Sequence, residues 1–496
     1  MVFICCDKKT NETINSQLKP NFYASDTIIS PNESVVFTEK SEGDPTSWYW
    51  EFQGGTPATS TDKNPEIVYN SLGTFDVKLI VQDNNSSASL VQQNFIRVEN
   101  LTPVTFDLTW QKSIGEHNLS ELVFSFIETS DGGFMSSGSI WHSNENTDVC
   151  IVKYDQNLNV VWEKIFSGNY HETGFSLIET NDGSFIVAGS TNSIEGQIQS
   201  YNGDYDIFLL KFDINGNVMW TKSYGGSEYE SCLKNSLKEL ADGNLIISGT
   251  ASSNDGDISR NIGDKDVWLI NLNKNGTIIH EKTYGGSQDE YGGQIIINNQ
   301  ELILGFRSRS NDGDFISEGI IVTKMSLNGE IIWVANLEGL NYGKTIIDKT
   351  GGYISLIGNT KNRSDFEIIK MDEQGSILWK NSFGGSGQEW GEDLIQFADN
   401  SLAVLGTSSS SDGEILNNYG TKDDVILAKL SYSGKLLGLK NFGGSDREWT
   451  NSFLEIGNGE FIINASTSSY DYDVINNFGA TGIDNWIFKA KEIILE

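Results

Sequence analysis

Trp220-Thr-Lys-Ser-Tyr224-Gly225-Gly226-Ser227 recurs as Trp379-Lys-Asn-Ser-Phe383-Gly384-Gly385-Ser386, and reading these two stretches as copies of one unit decides the fold. Working outward, the same strand position is held by Trp110, Trp162, Trp220, His280, Trp333, Trp379 and Gly438, 46 to 60 residues apart. Self-similarity at that period marks a repeat architecture, with units slightly longer than the roughly 40–50 residues of a propeller blade. Each copy holds four short strand signals. In the second, Phe175–Ile178 and Phe185–Ala188 flank the turn Asn181-Asp182-Gly183, and Asp206–Lys211 and Asn217–Tyr224 flank Asp213-Ile-Asn-Gly216. Asp-Gly between apolar runs is a hairpin signal, because glycine accepts the positive φ of a tight turn. No apolar periodicity of helix length interrupts the pattern. Four strands per unit, seven times over, predict a β-propeller; a β-solenoid is the runner-up, but its repeats are shorter and lack hairpin turns.

Strand order predicts the closure. The Asp-Gly hairpin pairs the first strand of each blade with the second, so the tryptophan strand is outermost. Phe106 to Ile114 is then an outer strand with no earlier blade, and the chain ends near Trp486-Ile-Phe-Lys489 with only three strands for blade 7. The first strand is expected to complete the last blade and leave few open edges.

Composition shifts near residue 103: all six prolines, the last of them Pro103, precede the propeller. Residues 20–100 read as a small all-β sandwich, with alternation in Phe75–Val81 and Asn94–Val98. Trp48-Tyr-Trp50-Glu-Phe52, Gly54-Gly-Thr-Pro57, Asn64-Pro65-Glu-Ile-Val-Tyr69 and Gly73-Thr-Phe-Asp-Val-Lys-Leu79 resemble a PKD-type domain. That resemblance implies an immunoglobulin-like sandwich serving as a non-catalytic spacer or a protein- or carbohydrate-contacting module on secreted proteins. Residues 105–496 resemble bacterial extracellular propeller repeats, through Trp-x-Lys-x-aromatic-Gly-Gly-Ser and Asp-x-x-x-x-Lys-x-Asp. The strand order is similar to that of WD-repeat propellers, without their Gly-His and Trp-Asp marks. The expected organisation is all-β: a tether over 1–19, the sandwich over 20–100, a linker over 101–105, and a seven-bladed propeller of four-stranded blades over 106–496.

Met1-Val-Phe-Ile-Cys5-Cys6-Asp7-Lys8-Lys9 resembles the tail end of a bacterial lipoprotein signal, with Cys6 as the lipid-bearing position; accidental cysteines are the other reading. A net charge of −34, from 34 basic and 68 acidic residues, argues against nucleic acid or an anionic membrane surface as partner. Membrane contact is then expected only through a lipid anchor. Cys150 and Cys232 are expected to be buried free thiols, and none of His117, His142, His171 and His280 has zinc-like spacing to a cysteine.

Three sets of residues are candidates for a site. Glu121, Glu172, Glu230, Glu290, Glu389 and Glu448 each precede a first strand, with Asn341 in the remaining copy. Because Ser227, Ser287, Ser386 and Ser445 lie three residues before four of them, they read as reciprocal caps of a tight turn rather than as a carboxylate ring. Asp255 and Asp257, Asp312 and Asp314, and Asp412 and Glu414 flank glycines in the loops after the second strand. Clustered acids of this kind suit either Ca2+ or an Asx-type turn; no cofactor is otherwise required. The departures from the repeat are Arg307, Arg309, Tyr291, Trp390 and Trp449, the aromatic and cationic equipment of sugar or peptide recognition, or simple packing between blades.

Catalytic signatures are not singled out. No acid pair breaks the repeat, and there is no Gly-x-Ser-x-Gly elbow, His-Glu-x-x-His or phosphate loop. The expectation is a non-catalytic cell-surface or secreted binding or scaffold protein, taking an extracellular glycan or protein on the propeller rim. The alternatives are a propeller enzyme acting on extracellular polysaccharide and a purely structural surface component.

Overall fold

The computed structural model describes residues 18–98, 101, 103–114, 120–142, 146–200, 203–315, 317–339, 341–358, 365–416, 418–475 and 483–495. Cys6 and His117 lie outside them. The chain divides into two compact units, Met1–Thr102 and Pro103–Glu496.

The first unit is a sandwich of a four-stranded and a five-stranded sheet. Period-two alternation builds its core: in the strand Gly73–Gln82, Val77, Leu79 and Val81 are fully buried while Lys78 and Ile80 are only partly so. Trp50 lies buried against Phe22, Phe37 and Phe52, and its indole N–H donates to the Asp62 carbonyl at 2.9 Å.

The second unit is a ring of seven four-stranded antiparallel blades. Blade 1 runs Ser120–Glu128, Phe134–Trp141, Thr147–Tyr154 and Val160–Phe166; blades 2 to 6 follow the same sequential order. The second and third strands of blade 2, Phe185–Thr191 and Asp206–Phe212, are buried at every position because a neighbouring blade covers each face. Blade 7 consists of Glu448–Gly457, Glu460–Thr467, Asp484–Ile494 and, outermost, Val104–Ile114 from the other end of the unit. The expected closure is therefore present, with Ser113 opposite Trp486 and Trp110 opposite Lys489. The closing strand starts at Val104, two residues before the expected Phe106, and Val104 pairs with Ile494.

The tryptophan of each outer strand docks on the turn between the third and fourth strands of the next blade. Trp162 Nε1–H donates to Ile214 O and Trp333 Nε1–H to Glu373 O, both at 3.0 Å; His280 Nε2 lies 3.1 Å from Asn328 O. Gly375 and Gly434 sit under Trp333 and Trp379, where an added Cβ would approach the indoles to 2.6 and 2.8 Å. Gly438 breaks this rule for a topological reason. Blade 7 takes its fourth strand from the start of the unit and has no such turn. The closing strand runs over Gly438 instead, so close that a Cβ there would sit 1.8 Å from Val104 O.

On the same rim, the repeat lysine of the third strand pairs with an acid of the first turn: Lys153 with Asp131 at 2.7 Å, Lys211 with Asp182 at 2.8 Å, and Lys370 with Asp348. Cys150 and Cys232 are free and buried, and burial pushes the Cys232 thiol up to about 12.

Candidate functional site

The repeated glutamates are buried turn supports. Glu230 accepts from Gly226 N–H at 2.8 Å and from Ser253 N–H at 3.0 Å; Glu290 accepts from Gly286 N–H at 2.8 Å and from the Ser308 hydroxyl at 2.8 Å. Glu172 and Glu448 make the equivalent bonds to Gly168 and Gly444, Glu389 accepts from Ser408 and Ser410, and Glu121 is buried at the same place in blade 1. The expected reciprocal cap is only half present. The carboxylate supports the turn, but Ser227, Ser287 and Ser386 donate their N–H groups to Asp255, Asp312 and Asp412 at 2.6–2.7 Å. The loop after the second strand, not a seryl hydroxyl, completes the turn. Asp257, Asp314 and Glu414 accept in the same way from Gly225, Gly285 and Gly384 at 3.1–3.2 Å. All six loop acids are thus engaged by backbone N–H groups, and calcium is not needed to explain the loops. Among the described residues no group of three or more His, Cys, Asp or Glu is placed to hold a metal ion.

Where these turns meet the next blade, acids crowd together. At the junction of blades 6 and 7, Asp424 and Glu448 both lie against Gly443, where a Cβ would come within 2.6 and 2.5 Å of their oxygens. Burial, with Asp424 and Glu448 facing each other and Asp473 nearby, pushes Asp424 up to about 8; burial pushes Glu448 up to about 7. Both acids therefore hold a proton in the fold at pH values where the unfolded chain has released it. The folded state binds more protons, so stability falls as pH rises from about 4, the ordinary carboxyl range, to about 8. Thermal unfolding should show a melting temperature that declines across that window, and Asp424→Asn should flatten the decline. A melting temperature rising from pH 5 to 8 would contradict the assignment.

The centre of the ring is where the blades differ. Each first strand of blades 1, 2, 6 and 7 carries a one-residue bulge, at Phe124, Phe175, Glu392 and Asn451. A bulge re-aims its residue, here toward the axis: the Phe124 and Phe175 rings meet at 5.0 Å across two blades. Blade 3 departs most. Its first strand, Glu230–Glu239, is two residues longer than Glu172–Glu179, and the register jumps from Cys232 to Leu237 while the partner strand moves only from Gly249 to Ile247. Within this looped-out stretch, Lys234 crosses the channel to form an ion pair with Glu392 of blade 6. Glycines occupy the equivalent bulges of blades 4 and 5, where a Cβ at Gly292 or Gly343 would run into the backbone of Gly249 or Gly391 in the neighbouring blade.

Above the strut, a cavity of about 330 Å³ opens where blades 6, 7 and 1 converge. Leu122, Phe124 and Trp449 form its apolar walls; Glu392, Asn451 and Ser466 supply polar atoms. Because its walls come from blades 1 and 7, the cavity exists only when the ring is closed.

The five candidate ligand residues are not brought to one place. Trp449 lines the cavity, with Arg447 5.4 Å from its ring centre and itself paired with Asp423 at 3.0 Å. Trp390, at the same position in blade 6, is 40% exposed. Tyr291 and Arg307 pair across the first two strands of blade 4, and Arg309 lies 5.4 Å from the Tyr291 ring while bonding Asp289 at 3.2 Å. Lys265 sits between the Tyr229 and Tyr291 rings at 5.4 and 5.3 Å. That cluster belongs to blades 3 and 4, apart from the cavity. Sequence reasoning missed Phe124, Lys234, Glu392 and Asn451; the two-residue insert in the third copy was the one signal that could have found them.

Residues 21–93 match the PKD domain family. Such domains are typical of extracellular bacterial proteins. Among curated proteins, the chain is 27% identical over 188 residues to collagenase ColA of Bacillus cereus, covering 37% of this chain. It is 23% identical over 175 residues to the regulatory protein FlaEY of Caulobacter vibrioides, covering 32%. The aligned stretch spans 18% of each relative's length. Among solved structures, the Dos1 propeller covers 95% of both chains at 10% identity and a TM-score of 0.42, and puromycin hydrolase covers 80% of this chain and 57% of its own at 11% identity and 0.43. None of these likenesses carries a function across.

Proposed function

We propose that the chain is a non-catalytic extracellular binding or scaffold protein whose propeller takes a glycan or protein ligand at the mouth of its ring, beside Trp449 and Trp390. The cavity at the mouth carries this reading: it joins an indole and a phenyl wall to a few polar groups, the usual composition of a recognition pocket. The repeated glutamates and the loop acids of this rim are engaged by backbone N–H groups of the turns. In this reading the PKD-type domain is a spacer or second contact module, and Cys6 is the residue that would anchor the protein to a membrane.

The test combines a glycan and protein array with a reducing-sugar assay on the whole chain. The expected result is binding without turnover, weakened at least about tenfold by Trp449→Ala, the loss of an aromatic anchor. Turnover abolished by a single rim carboxylate substitution would favour a polysaccharide-acting enzyme instead.

A further inference from the structure

We infer that the cavity at the mouth of the ring accepts one cationic group on an apolar stem: the guanidinium or ammonium of a basic side chain on a protein partner. This rests on the rim-binding reading above and narrows it to one ligand chemistry.

The walls set the first condition. Leu122, Phe124 and Trp449 offer a mostly apolar lining that suits an alkyl stem better than a sugar ring with hydroxyls on every side. The floor sets the second. Among the described residues Glu392 is the one charged residue lining the cavity, and its side chain keeps about a quarter of its surface exposed (27%). It already holds an ammonium, that of Lys234, delivered across the channel by the insert in blade 3. The Lys234 Nζ also lies 3.5 Å from the Glu392 carbonyl. An incoming cation would take over a contact whose geometry the chain has already built. Ser466 adds a third condition: it is fully buried, lines the cavity, and its hydroxyl has no hydrogen-bond partner among the described residues. A guanidinium carries several N–H donors that could satisfy such an oxygen.

The same rim shows the preference elsewhere. Arg309 and Lys265 lie over Tyr291, and Arg447 over Trp449, each 5.3–5.4 Å from the ring centre. The net charge of −34 would gather cations at the surface and repel an anionic ligand.

The experiment is a calorimetric titration of the full chain, at physiological ionic strength to suppress diffuse attraction. The probes are two capped pentapeptides, Gly-Ala-X-Ala-Gly, in which X is arginine or its neutral isostere citrulline. The arginine peptide should bind at least about tenfold tighter, the scale of one charge-assisted contact. Glu392→Gln should erase that difference, and Lys234→Met, which removes the internal competitor, should tighten arginine binding severalfold. Equal affinity for the two peptides, or discrimination that survives Glu392→Gln, overturns the inference. Should Glu392→Gln fail to fold, Phe124→Leu trims the wall and leaves the ion pair intact. Weaker arginine binding then supports the inference, and unchanged binding overturns it. Array binding that is sensitive to Trp449→Ala but indifferent to Glu392 would sink this inference and leave the rim reading standing. Array binding indifferent to both would sink the two together.

Discussion

Gly438→Trp, which restores the residue that most other blades carry at this position, is expected to be among the most damaging substitutions in the propeller. Any side chain at 438 begins 1.8 Å from the Val104 carbonyl oxygen and 2.7 Å from its carbon, both backbone atoms of the closing strand. Nothing flexible can move aside. The closing strand must lift off blade 6, and with it the ladder from Val104 to Ile494. A cost of about 3 kcal/mol, the upper end for overpacking, is expected in urea unfolding. His280→Trp is the control, since that site faces a regular turn and already contacts it; a change under about 1 kcal/mol is expected there. Equal effects at the two positions would show that the departure at Gly438 is unrelated to closure.

Asp348→Ala is expected to cost at least as much. Asp348 and Lys370 are both buried and paired. The same carboxylate accepts from Gln396 Nε2 at 2.6 Å and from the Tyr432 hydroxyl at 3.0 Å, both in blade 6. Burial already pushes the Lys370 ammonium down to about 8, a sign of how little solvent reaches it. Removing the acid strands a buried cation and two polar groups from the next blade. Breaking a buried pair in this way costs about 3–5 kcal/mol. The equivalent change at Asp182, whose side chain is 57% exposed so that water can take its place beside Lys211, should cost less than at Asp348. A loss below about 1 kcal/mol at Asp348 would mean that water reaches Lys370 after all.

The fold was legible because its causes are local and repeated. Tryptophan, the Gly-Gly turn and the Asp-Gly hairpin each answer a need that recurs in every blade, so repetition multiplied a weak signal. Closure was legible from strand arithmetic alone. The reason for Gly438 was not, because it depends on Val104, more than three hundred residues away. The site divides along the same line. The repeated glutamates were legible as turn supports, but the partner of each Gly-Gly-Ser turn proved to be a loop aspartate, a contact between segments roughly 25 residues apart. Of the channel lining, only the insert in the third copy left a trace in the sequence. Bulge residues follow no periodic pattern, and Lys234 meets Glu392 only once the ring has brought blade 3 opposite blade 6.

Binding at the mouth presupposes a ring sealed by strands from its two ends, since blades 7 and 1 supply the walls that hold a ligand. Hydrogen–deuterium exchange on the intact protein tests that seal most directly. Amides of Val104–Ile114 that face Asp484–Ile494 should exchange as slowly as those between Glu460–Thr467 and Asp484–Ile494, opening only with the whole propeller. Rapid exchange along Val104–Ile114 while the rest of blade 7 stays protected would contradict the closed ring and the cavity built on it.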